Sequence, residues 1–170
     1  MSLLDLTVEE LRGAGVTHLV CTANLEGFGL YEVFANNSDL TVIDTCREGE
    51  AVAIASGLSL TGKKVCLSME NFGLFESLDT MRALPRDMGI GIPVFIGYTG
   101  HGAVADAIEP FTGNMKSQVQ LAGDWTEPIL DVTGIPYDVL SEEASDDDTR
   151  AALGRALAAE SPYGLLVDTF

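Results

Sequence analysis

Short runs of consecutive apolar residues alternate along the chain with stretches of helical period. Thr7, followed three residues later by Glu10, has the form of a capping box and predicts a first helix that ends near Gly13 to Gly15. Residues 17–22 read as a strand, and Asn24 and Gly27 lead into a helical stretch over 30–34. The unit then repeats. Strands are predicted at 40–44, 64–69, 92–97, 137–140 and 164–167, with helices at 48–60, 75–84, 128–133 and 149–159. Such alternation is the signature of a parallel sheet covered on both faces. The expected architecture is therefore an open, doubly wound α/β fold in three layers, α/β/α, forming one domain over residues 1–170.

One predicted helix stands apart. Ala51, Val52, Ala53, Ile54, Ala55, Gly57 and Leu58 leave the 48–60 segment almost no polar face, which predicts burial on all sides. Its small residues allow close approach of another backbone, so either a subunit interface or the long loop after Gly97 covers the face turned away from the sheet. The acidic run from Glu142 to Asp148 reads as a solvated cap, its carboxylates opposing the positive end of the last helix.

Composition narrows the partners. A net charge of −17 repels nucleic acid and anionic membrane surfaces. The beginning of the chain lacks a basic stretch followed by an apolar one and a cleavage site, and no apolar run reaches membrane-spanning length, so a cytoplasmic protein is expected. Cys21, Cys46 and Cys66 are odd in number, and each lies beside or inside an apolar run, where a free thiol behaves as a small buried hydrophobe. No zinc-binding pattern occurs, and no metal ligands are assigned. Asn36-Asn37-Ser38 matches a glycosylation sequon but reads as turn chemistry before a strand.

In an open parallel sheet, ligands bind beyond the carboxyl ends of the strands. That rule selects the segments 22–27, 45–50, 70–74 and 98–102. In the second of these, Glu48 and Glu50 open the most apolar helix of the chain. First-turn acids that complement a helix dipole are the ordinary explanation. The whole string from Arg47 to Gly57, REGEAVAIASG, nevertheless resembles the Glu-x-x-Ala-x-x-x-Ala-x-Gly pattern in the pyrimidine-binding domain of thiamine-diphosphate enzymes. Met69-Glu70-Asn71-Phe72-Gly73-Leu74 is similar to the Met-Gln-Asn-Ser-Gly-Leu segment of sulfopyruvate and phosphonopyruvate decarboxylases. The likeness continues through residues 91–98, 126–130 and 134–137.

This resemblance implies the small subunit of a split 2-oxo-acid decarboxylase. Thiamine diphosphate would be its cofactor, with Mg2+ bound through a partner chain that carries the diphosphate-binding domain. It implies a heterotetramer that also self-associates through the pyrimidine domain. Glu48 would be the catalytic acid on the aminopyrimidine ring, sharing a proton with a ring nitrogen so that the cofactor can be activated, with Asn71, Phe72 and Gly73 beside it in a loop. Asn24 and His101 are the candidates for contact with the 2-oxo acid substrate.

The chain also departs from its relatives: Phe72 replaces a small polar residue, Glu70 a glutamine and Phe75 a glycine. Tyr98-Thr99-Gly100-His101-Gly102 stands where sulfonate- and phosphonate-processing relatives tend to have Trp-Arg-Gly. Loss of that arginine removes a partner for a strongly anionic substrate tail. The departures leave a second reading open, a degenerate pyrimidine-type domain that binds or regulates without turnover.

Overall fold

A computed structural model describes residues 1–22, 29–101 and 113–168, without the side chains of 113–120. The order is α1 (Leu3–Gly13), β1 (His18–Thr22), α2 (Leu30–Ala35), β2 (Thr41–Thr45), α3 (Glu48–Leu60), β3 (Val65–Glu70), α4 (Asn71–Met81), a π-helical turn (Arg82–Arg86), β4 (Ile92–Gly97), α5 (Gly113–Thr133), β5 (Tyr137–Ser141), α6 (Asp146–Ala158) and β6 (Pro162–Asp168). The six strands form one sheet in the order β2-β1-β3-β4-β6-β5. Every pairing is parallel. The predicted three-layer α/β/α architecture is the one observed.

The burial of each strand follows its place in the sheet. β4 is buried throughout and β3 in all but its last residue, as expected for central strands covered on both faces. The edge strands are more open, with Thr41 and Asp44 of β2 and Val139 of β5 exposed to solvent. Helices α1, α2 and α6 pack on one face around Leu6, Leu11, Phe34, Leu153 and Phe95. Helix α3, helix α4, the π-helical turn and α5 cover the other, around Val52, Leu67, Leu74, Ile96 and Leu130.

Four element assignments differ from the sequence reading. Helix α1 starts a turn before the Thr7–Glu10 pair. Ser2 is the N-cap, its hydroxyl accepting from the Asp5 N–H at 3.1 Å and donating to the Asp5 carboxylate at 2.7 Å. Thr7 instead lies buried within the helix and donates to Leu3 O at 2.8 Å. A serine with an acid three residues later had already capped the helix upstream, the acid here accepting from the serine hydroxyl and not from its backbone N–H.

Helix α4 begins at Asn71 and not at 75, which makes the expected loop of Asn71, Phe72 and Gly73 the first turn of a helix. Helix α5 extends far upstream of Pro128, which lies inside it. Proline is favoured in a first helical turn, and that preference had suggested a start there. Finally, α3 is not buried on all sides. Ala51, Val52, Ala55 and Ser56 are buried, but Ala53, Gly57 and Leu60 are exposed.

Other local readings hold. Ser145 caps α6 and accepts from the Asp148 N–H, with Asp146, Asp147 and Asp148 in the first turn. Asn37 accepts from the Asp39 N–H at 3.0 Å in the turn before β2. All three cysteines are free; Cys21 and Cys66 are buried as expected, but Cys46, just before the N-cap of α3, is exposed, which corrects the reading of it as a buried hydrophobe.

Candidate functional site

The winding of the sheet selects a place for a ligand. From β1 the chain passes through α2 on one face to β2, and from β3 it passes through α4 on the other face to β4. The connections leaving the carboxyl ends of neighbouring β1 and β3 therefore diverge, creating the crevice in which open α/β sheets bind ligands. Glu48 lies at that crevice. It opens α3, and its Oε1 accepts from the Thr22 hydroxyl at 3.3 Å from the end of β1.

From the other side, α4 closes on the same carboxyl. A Cβ placed on Gly73 would fall inside the envelope of Glu48 Cγ and within 2.9 Å of both Cδ and Oε1. Only glycine lets the first turn of α4 lie flat against this side chain. The close packing of α3 and α4 has a second support in Glu76. Its carboxylate accepts from the Gly49 N–H at 2.9 Å and pairs with Arg47 at 2.6 Å. Arg47 provides no side-chain cap to α3, so Glu76 caps that helix from α4. The Gly49 N–H, followed by Arg47, holds the Glu76 carboxyl below its ordinary range.

The rim continues onto β4. Asn71 is fully buried; its Nδ2 donates to Thr99 O at 2.8 Å and to the Thr126 hydroxyl at 3.1 Å. Its Oδ1 is buried without a hydrogen-bond partner among the described residues. Glu70, the last residue of β3, accepts from the Thr99 hydroxyl at 2.6 Å and lies flat on Gly97, where a Cβ would come within 2.6 Å of its carboxyl carbon. Burial raises the Glu70 carboxyl above its ordinary range, and the Thr99 bond opposes that shift. Thr99 thus ties the start of α4 to the segment following β4 through both its hydroxyl and its carbonyl.

His101 follows on this segment. Its Nδ1 lies 2.9 Å from Asp168 Oδ2, and its ring stacks on Tyr98 with centroids 4.1 Å apart and planes 7° apart. The Tyr98 hydroxyl donates to Glu127 at 2.7 Å, and Tyr137 donates to the other oxygen of Glu127 at 2.9 Å. Burial, then Glu127, pushes the Tyr137 hydroxyl up to about 12.

Of the residues singled out from sequence, Glu48 and Gly73 are brought together, Asn71 lies two residues before Gly73 on the same turn, and His101 is on the same rim of the sheet. Phe72 points outward, 47% exposed, with its ring 6.4 Å from that of Phe75. Asn24 lies outside the described residues. His18 accepts or donates through Nδ1 to the neighbouring Thr17 hydroxyl and takes no part in the rim. Thr22 and Thr99 lie in the segments 22–27 and 98–102 selected from the sequence, which gave neither a role, and Glu76 and Asp168 were not anticipated. Asp168 ends β6, so the same topological rule, applied to that strand, would have found it. Among the described residues, no group of three or more His, Cys, Asp or Glu side chains could hold a metal ion, and no helix is long and apolar enough to cross a membrane.

Comparison with known proteins places this geometry in a family context. No family model matches the chain. It is 28% identical over 156 residues to sulfopyruvate decarboxylase subunit alpha of Methanococcus maripaludis, covering 90% of this chain and 84% of that one. The chain resembles a thiamine-diphosphate pyrimidine-domain subunit. The fold agrees. It superimposes on benzoylformate decarboxylase from Polynucleobacter necessarius with a TM-score of 0.67 and 20% identity, over 98% of this chain and 29% of that one. It likewise matches a split-gene transketolase described as an inactive beta4 tetramer, with a TM-score of 0.64 and 16% identity, over 97% of this chain and 49% of that one. The chain thus spans less than a third of the decarboxylase and about half of the transketolase chain.

Proposed function

We propose that this chain is the pyrimidine-binding subunit of a cytoplasmic, thiamine-diphosphate-dependent 2-oxo-acid decarboxylase, active with a second chain that holds the diphosphate and its Mg2+. The observation that carries this reading is the contact of Glu48 with Gly73 at the crevice between β1 and β3. The carboxyl is half-buried, Thr22 is its one hydrogen-bond partner among the described residues, and a glycine clears one side of it.

The residues fit an aminopyrimidine ring. Glu48 supplies the carboxyl that hydrogen-bonds a ring nitrogen, Gly73 permits close approach, and Asn71, whose buried Oδ1 has no partner among the described residues, underlies the same turn. Phe72 adds an exposed aromatic face at the same turn. When bound, the cofactor supplies a nucleophilic carbon and an electron sink for loss of carbon dioxide from a 2-oxo acid. The chain's own task is to hold the ring and share a proton with it at Glu48, Thr22 keeping the carboxyl aimed into the crevice.

Two features of this chain support assembly with other chains. The alpha-subunit relative and the split-gene neighbour are both parts of divided proteins by their names. The outward face of α3 also leaves Ala53, Gly57 and Leu60 in solvent, with nothing among the described residues within 4 Å of a Cβ on Gly57. In this reading that face packs against a second copy within a heterotetramer.

Isothermal titration calorimetry with thiamine diphosphate and Mg2+ tests the proposal, using the chain alone and mixed with its diphosphate-domain partner. Binding confined to the mixture, followed by carbon dioxide release from a 2-oxo acid, supports it. A stable mixed complex without cofactor binding replaces it with a non-catalytic, regulatory domain.

A further inference from the structure

We infer that a cavity at the amino end of the sheet, beside Lys63 and Lys64, binds a small organic anion. The charged group of the ligand meets the two ammoniums, and its apolar body lies on Val16, Pro93 and Leu157. This site is separate from the crevice at the carboxyl end, and its existence does not depend on the function proposed above.

The cavity has a volume of about 200 Å3. Val16 ahead of β1, Pro93 near the start of β4, Ser59 in the last turn of α3 and Leu157 in the last turn of α6 form its walls together with the two lysines. At about 30 Å3 for each water it has room for six or seven waters, or for an organic acid of similar bulk. Helix α3 opens with Glu48 and reaches Ser59 near its other end, so roughly 16 Å of helix at 1.5 Å per residue separates this cavity from the crevice.

The charge of the lining sets the sign of the ligand. The chain carries 26 acidic side chains against 9 basic ones, yet no acidic residue lines this cavity. Elsewhere Arg47, Arg82, Arg86, Arg150 and Arg155 are each paired with a carboxylate. Among the described residues neither Lys63 nor Lys64 has a carboxylate within 4 Å, in a chain where such partners are plentiful. Lys64 is positioned by the fold: its Nζ donates to Ala14 O at 2.6 Å, and its Cδ lies 3.7 Å from the place of a Cβ on Gly15. An ammonium has three donors, and Ala14 takes one of them. The Ser59 hydroxyl has no partner among the described residues and supplies a further donor.

Helices α1, α3 and α6 end on this side of the sheet, and their terminal carbonyls oppose an anion. Each helix end contributes about half a negative charge, so the three together fall short of the two full charges on the lysines. The balance favours an anion, and it reverses when one lysine is neutralised.

The opposite wall argues for an organic ligand over an inorganic ion. Val16 and Pro93 are buried and Leu157 is half-buried around the cavity. A bare ion would leave that wall facing water, whereas an aliphatic body removes it from solvent and adds to the binding.

Titration calorimetry of the full chain at constant ionic strength tests the site, with 4-methylpentanoate as the probe. One site with a Kd of about 1 mM or tighter is expected. The neutral 4-methylpentanamide isolates the charge and inorganic phosphate isolates the apolar body; each should bind about tenfold more weakly or not at all. Lys63→Gln should weaken the carboxylate by about tenfold and leave urea unfolding unchanged, because its ammonium has no intrachain partner among the described residues. Ser59→Leu, which fills the cavity from α3, should abolish binding. In methyl-resolved spectra the probe should shift Val16, Val65 and Leu157.

No binding of the carboxylate at about 20 mM overturns the proposal. Equal affinity for the amide removes the anion, and equal affinity for phosphate removes the organic body. Unchanged affinity in Lys63→Gln, or shifts confined to Thr22 and Leu74 beside the crevice, removes the site itself.

Discussion

Replacing Gly73 by alanine separates the site's geometry from the stability of the fold. The added Cβ would lie 2.9 Å from Cδ and Oε1 of Glu48, whereas ordinary contacts begin near 3.4 Å, and the overlap with Cγ is more severe. The carboxyl must therefore retreat by at least 0.5 Å or α4 must tilt away. Overpacking of this kind costs about 1–3 kcal/mol, and replacing glycine by alanine in a helix returns about 1 kcal/mol. The expected net destabilisation is about 0–2 kcal/mol, which leaves the chain folded.

Function is expected to be more sensitive, because a displacement approaching 1 Å can cost about 10²-fold in rate. Gly73→Ala should thus lower kcat by about 10- to 100-fold, read as carbon dioxide release by the reconstituted complex, with urea unfolding of the chain measured in parallel. The double variant Glu48→Ala/Gly73→Ala supplies the control. With the Glu48 side chain truncated, the alanine at 73 should add no further loss of activity, and the packing cost should disappear. An active single variant, or additive losses in the double, would refute the claim that Gly73 acts through Glu48.

Glu48→Gln should abolish most turnover of the reconstituted complex while the mixed assembly still forms by size-exclusion chromatography. Glu70 is predicted to make stability fall with pH: its raised folded-state value means that its contribution is complete below the ordinary glutamate range and lost as pH rises through that raised value. Urea unfolding at several pH values should show Glu70→Gln gaining on the parent as pH increases. Glu127→Ala leaves the Tyr98 and Tyr137 hydroxyls without their acceptor and should cost about 1–3 kcal/mol in the same assay. Gly57→Glu places a charge on the exposed face of α3, where nothing lies within 4 Å, and should leave chain stability intact while reducing self-association in analytical ultracentrifugation.

The sheet was legible in the sequence because its inner strands are short, mostly apolar runs, and α3 and β4 begin and end where periodicity placed them. Helix starts were harder to read. Asn71 and Gly73 are poor interior helix residues, and their helical conformation depends on tertiary contacts with Thr99, Thr126 and Glu48. Pro128, inside α5, is exposed, so its favoured place in a first helical turn misled the reading of where that helix starts. Motif spacing identified Glu48 and Gly73 as neighbours in function, but it could not show that one packs directly on the other. Asp168 escaped notice because its partner His101 is 67 residues earlier in the chain, and only the adjacency of β4 and β6 brings them together.

That adjacency also constrains how the chain acquires its structure. β6 follows β4 and β5 in sequence but lies between them in the sheet, pairing with β4 from Ile92↔Pro162 and with β5 from Tyr137↔Gly164. Until residues 162–168 are in place, β5 has no strand to pair with and one edge of β4 stands open. During synthesis, the β2-β1-β3-β4 portion can associate as it emerges, but β5 must wait for a keystone strand made after it. The His101–Asp168 contact can close only at that late stage, so this corner of the rim is the last to take shape.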